Sequence, residues 1–198
     1  MPDQDAADVG RTAQPAQPVA FATTFVLLCT IFVVYCAEVL SDGGFSARAL
    51  EPGLVTLEQY GALNRALVVG DGEWWRLFSA ALLHGSLAHI LLNSLALLIV
   101  GLMLEKVVGS LWFAAIFVVA SLSGGIFSLA INPPAVISVG ASGGIVGLAA
   151  AAAVVSFHFE PGSIQRTALR QDSLRILIPT LMPALFIPLA GGAQNGID

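Results

Sequence analysis

Two short stretches of the chain carry side chains able to do chemistry. The first is His84-Gly85-Ser86-Leu87-Ala88-His89, which runs on to Asn93. His89 and Asn93 are four residues apart, so on a helix both side chains share one face, one turn above the other, and can donate hydrogen bonds to a common point. The second is Gly140-Ala141-Ser142-Gly143-Gly144, followed by Gly147 and an alanine run at 149–153. A serine set among glycines has almost no bulk around it, so a peptide backbone can approach its hydroxyl closely. A hydroxyl nucleophile with nearby donors is the equipment of acyl transfer, in which the donors stabilise charge developing on a carbonyl oxygen.

Both stretches also have plainer readings. His89 and Asn93 suit polar bonding between neighbouring helices, and Gly143 and Gly147 have the spacing by which membrane helices pack closely. Residues 140–144 fit the G-x-S-x-G nucleophile elbow, but that motif belongs to a strand-turn-helix in an α/β sheet, for which the chain has no pattern. Only the accessible serine is retained. Cys29 and Cys36 both lie in an apolar stretch without a CxxC motif or Cys/His cluster, so they read as small hydrophobes, and no metal or other cofactor is expected.

The elements that position these residues are membrane spans. The 198 residues are 57% hydrophobic and 11% charged, against about 25% charged in a soluble domain. Eight basic residues face thirteen acidic ones, for a net charge of -5, and no basic run exists to follow a nucleic-acid backbone. The expected fold is all-α, a polytopic helical bundle in the lipid bilayer, with about five apolar segments long enough to cross it. These are 21–40, 87–104, 111–131, 138–159 and 174–190, separated by breakers such as Ser41-Asp42-Gly43-Gly44, Asn132-Pro133-Pro134 and Glu160-Pro161-Gly162. Residues 1–20, with Asp3, Asp5 and Asp8, read as a polar disordered tail rather than a signal peptide, which needs a basic start. The connection 41–86, with Trp74 and Trp75, is expected to lie partly in the membrane interface. Counting Lys and Arg with the N-terminus cytoplasmic puts Arg11, Lys106, Arg166, Arg170 and Arg175 inside, against Arg48, Arg65 and Arg76 outside; that majority favours a cytoplasmic N-terminus.

Taken together, the motifs resemble the rhomboid family of intramembrane serine proteases. The resemblance rests on Trp75-Arg76 in the first loop and on His84, His89 and Asn93 at the start of the second span. Gly101, Glu105 and Gly109 follow at that span's end, and Gly140-Ala141-Ser142-Gly143 opens the fourth. It extends over 21–198, read as one membrane domain. It implies Ser142 as nucleophile, His89 and Asn93 as oxyanion donors, and His84 as a residue ordering that region. Trp75-Arg76 and Glu105 would be structural, and the substrates would be transmembrane proteins.

The resemblance also exposes a shortfall. In the family the base is a histidine on a sixth span, whereas Gln194-Asn195-Gly196-Ile197-Asp198 looks like the lead into that helix. His158 lies sixteen residues beyond Ser142, about 24 Å along a helix, and His84 and His89 fall to the donor side. The chain is therefore expected to be a C-terminally incomplete protease, with little activity as the 198-residue polypeptide. The alternatives are a catalytically inactive rhomboid-like protein that binds membrane proteins, and a small transporter using the polar seam. The transporter would need repeated broken helices and embedded carboxylates, and only Glu38 and Glu105 qualify, both near span ends. Pro179, Pro183 and Pro188 can kink the fifth span, which the resemblance makes a candidate for moving aside to admit substrate.

Overall fold

The computed structural model describes residues 21–43 and 50–190. The tail 1–20, Arg11, Arg48 and Gln194 to Asp198 lie outside the described residues. Described elements are helical: α1 Ala22–Ser41, α2 Leu54–Gln59, α3 Arg76–Ser79, α4 Leu87–Val108, α5 Ser110–Ile131, α6 Ser142–Val155 and α7 Ile164–Ala190. A π-helical turn at Ala66–Gly70 and a 3-10 turn at Ser156–His158 complete the set. The all-α membrane bundle expected from composition is what forms.

Helices α1, α4 and α5 are each long and apolar enough to cross a bilayer. Their ends follow local chemistry. Ser86 accepts the His89 N–H and caps α4, and Gly109, at φ +82°, ends α4 and lets α5 begin one residue later. Asn132 ends α5 just before Pro133, which disfavours helix at the residue preceding it.

Two boundaries differ from expectation. The fourth span does not begin at residue 138: Leu63 and Ser138 form an antiparallel bridge, the chain stays non-helical through Gly140, and α6 starts at Ser142. Its 14 residues reach about 21 Å, less than a bilayer core of about 30 Å. Helix α7 starts at Ile164, ahead of the expected 174, and contains Pro179, Pro183 and Pro188 without ending at any of them.

The core runs through all five long helices. Ile31, Tyr35 and Val39 recur every four residues on α1 and meet Leu97, Val100 and Leu104 of α4. Phe113 and Phe117 of α5, Ile145 and Leu148 of α6, and Leu169 and Ile176 of α7 close the cluster. Large apolar side chains elsewhere point outward, among them Leu92, Leu111, Trp112, Val119 and Phe127, as lipid contact requires.

Glycines set the closest helix approaches. A Cβ on Gly147 would collide with the Ala120 Cβ of α5. Both atoms are fixed to helical backbone, so no side-chain rotation relieves the clash. Gly147→Ala should gain up to about 1 kcal/mol of helix propensity but lose about 1–3 kcal/mol by pushing α5 and α6 apart. A lower melting temperature in detergent is the expected net result, and an unchanged one would contradict this packing.

Candidate active site

The site begins at the capped end of α4. His89 and Asn93 lie one turn apart there, and the preceding loop brings in His84, which is 0% exposed. The His84 Nδ1 lies 3.2 Å from the Leu82 carbonyl and its Nε2 lies 3.0 Å from Asn93 Nδ2. A carbonyl only accepts, so Nδ1 carries the proton and Nε2 accepts from the Asn93 amide, an assignment made from the network. The His84 and His89 rings meet edge to face, with centroids 5.0 Å apart. One amide hydrogen of Asn93 is thereby used and the other remains for a further acceptor.

The serine arrives from the other direction. Leu63 and Ser138 exchange two backbone hydrogen bonds of 3.0 Å, and the Gly140 N–H donates to the Ala80 carbonyl at 2.8 Å. These bonds hold the segment ahead of Ser142 extended. Gly140 has φ +122°, and a Cβ there would lie 2.8 Å from His89 Cε1 and Nε2 and 3.5 Å from Asn93 Nδ2. The glycine thus lets the backbone two residues before Ser142 lie directly on His89 and Asn93. Gly140→Ala combines a left-handed backbone, costing about 1–3 kcal/mol, with displacement of the His89 ring. It is expected to lower the melting temperature; an unchanged one would contradict the packing.

Ser142 opens α6, where the first N–H groups have no intrahelical acceptor and the helix dipole is positive. Its Oγ makes no hydrogen bond among the described residues. It lines a half-open cleft of about 160 Å³ with Gly140, Gly143, Ser121, Ser128 and Ser138. Gly140, on which the α4 side chains pack, thus lies two residues ahead of the hydroxyl at the α6 N-terminus; His89 and Asn93 do not themselves line the cleft that holds Ser142. His158 is exposed beyond the far end of α6.

The remaining motif residues hold the scaffold. Arg76 is buried, ion-paired to Glu73, and donates to the carbonyls of Glu58 at 2.7 Å and Ala62 at 3.0 Å. Its guanidinium stacks on Trp75, 4.8 Å from the ring centroid. Glu105 accepts from the backbone N–H groups of Thr23 and Thr24 at 2.9 Å and from the hydroxyls of Thr24 and Ser110 at 2.6 Å. One carboxylate therefore caps α1 and ties it to α4 and α5.

A family model described as the Rhomboid domain matches residues 71–193. The chain belongs to the rhomboid family. It is 34% identical over 146 residues to RHOMBOID-like protein 5 of Arabidopsis thaliana, covering 66% of this chain and 47% of that protein. Against rhomboid protease GluP of Bacillus subtilis it is 41% identical over 92 residues, 46% of this chain and 18% of that protein. Against rhomboid protease AarA of Providencia stuartii it is 25% identical over 193 residues, 90% of this chain and 66% of that protein. The chain spans less than half the length of the plant relatives it matches. No solved structure matches it.

Sequence reasoning placed His84, His89, Asn93 and Ser142 in this rhomboid domain but missed the part played by Gly140. Its signal was a glycine two residues before a serine, which many turns share. It also read Glu38 only as a span-end carboxylate, whereas Glu38 is fully buried against the His84 backbone.

Proposed function

We propose that this rhomboid-family chain carries the nucleophile and oxyanion side of an intramembrane serine endopeptidase whose substrates are transmembrane proteins. The packing of Gly140 on His89 and Asn93, two residues ahead of Ser142, carries the reading. Ser142 Oγ bonds to the scissile carbonyl carbon and gives its proton to a base. The carbonyl oxygen becomes an oxyanion facing the Ser142 N–H, the free Asn93 amide hydrogen and His89. The intermediate then collapses, the leaving amine takes the proton, and water hydrolyses the acyl-serine by the same steps. The N-terminal side is proposed as cytoplasmic, on the Lys and Arg majority.

The base is not among the three histidines of the chain. His84 has both nitrogens engaged, His89 packs on Gly140, and His158 is at the far end of α6. The 198-residue polypeptide is accordingly proposed to be almost inactive. A serine-directed fluorophosphonate probe tests both statements. It should label Ser142 slowly in this polypeptide and not at all in Ser142→Ala. Absence of labelling would reject the protease in favour of a binding protein. Substrate cleavage by the 198-residue form, lost in Ser142→Ala, would reject its inactivity.

A further inference from the structure

The C-terminal half of α1 is the seat of the long loop. Tyr35 donates to the Leu50 carbonyl at 2.6 Å, and Tyr60 bonds to Ser41 at 2.7 Å and to the Ala37 carbonyl at 3.3 Å. Asp42 accepts from the Thr56 hydroxyl at 2.6 Å and the Gly53 N–H at 3.1 Å. These contacts lie partly or wholly exposed, and they hold the rim.

Glu38 points the other way, into the protein, and is 0% exposed. Its Oε2 accepts the His84 N–H at 3.4 Å, and its Oε1 has no partner among the described residues. It also lacks an ion pair among the described residues, where the pairs are Arg76 with Glu73 and Arg175 with Asp172. As packing this is a poor choice, because a leucine fills similar space without removing a carboxyl group from water. What the carboxyl supplies and leucine does not is an acceptor for the buried His84 amide, which needs one.

We propose that Glu38 is a positioning residue that fixes the His84 segment and, through the His84–Asn93 hydrogen bond, the oxyanion donors. The hold passes from α1 to the His84 backbone, from its imidazole to Asn93, and from its ring edge to His89. The catalytic part of the inference rests on the protease reading above; the structural part does not.

The test uses Glu38→Leu, which keeps volume and removes the acceptor, and Glu38→Gln, which restores a carbonyl oxygen. Hydrogen–deuterium exchange of the peptide covering 82–86 should speed up about tenfold in Glu38→Leu and return toward wild type in Glu38→Gln. Melting temperature in Glu38→Leu should fall, because the buried His84 N–H loses its acceptor, and should recover toward wild type in Glu38→Gln. In the form that cleaves substrate, kcat should fall about tenfold with KM within about twofold, again recovered by Gln. Unchanged exchange in Glu38→Leu, or a fall in melting temperature that Gln does not repair, would overturn the proposal. If the exchange pattern appears while Ser142 takes up no fluorophosphonate, the hold by Glu38 stands and the protease reading fails.

Discussion

Ser142→Ala is expected to abolish fluorophosphonate labelling and, in a form that cleaves substrate, to reduce cleavage of a single-span substrate by at least about 10⁴-fold, to the level left when a catalytic serine is lost. The same change should leave the fold intact. Ser142 Oγ has no hydrogen-bond partner among the described residues, so its loss orphans nothing. Alanine is also the better helix former, by a few tenths of a kcal/mol up to about 0.5, at a position that opens α6. Activity and stability therefore separate: labelling disappears while melting temperature holds or rises slightly. Labelling that persists in the variant would place the reactive group elsewhere, and a large loss of melting temperature would mark the serine as structural. A substitution at Gly147 lacks this separation, because an added Cβ there would collide with Ala120 of α5 and disturb packing.

Residues far apart in the chain were legible as one site because each type is unusual at its place. A serine among glycines, and two histidines with an asparagine in an apolar run, have few ordinary uses at membrane depth. The rhomboid pattern then gave their order meaning, and the family match bears out the family assignment. The start of α6 was not legible. Residues 138–147 are small or apolar throughout, so they carry no periodicity that separates helix from extended chain. The decision belongs to Leu63 and Ala80, more than fifty residues earlier, whose backbones hold 138–140 straight. For Arg76 the rhomboid pattern implied a structural role but not its form. It counted among the outer charges, but its guanidinium closes two carbonyls inside the loop, and spacing alone does not reveal which polar side chains of a long loop turn inward. Glu38 is the same case on α1.

In a form that cleaves substrate, Asn93→Ala is expected to lower kcat by about 10²–10³-fold, the range for loss of one oxyanion donor, the role proposed for it, with KM within about threefold. Asn93 is 8% exposed, its amide nitrogen is bonded to His84 Nε2, and that nitrogen lies beside Gly140. A donor that meets charge only as the carbonyl oxygen becomes an oxyanion acts on the transition state, so the loss falls on kcat. The substitution also strands Nε2 of the fully buried His84, costing about 1–3 kcal/mol, so melting temperature falls as well. Asn93→Asp separates the two effects. Its carboxyl can accept from His84 if the imidazole moves its proton to Nε2, which recovers part of the stability. It presents an acceptor where the oxyanion needs a donor, so activity should be at least as low as in the alanine variant. Recovery of activity with stability in Asn93→Asp would reduce Asn93 to a support for His84. A raised KM with unchanged kcat in Asn93→Ala would move its role from the transition state to substrate binding.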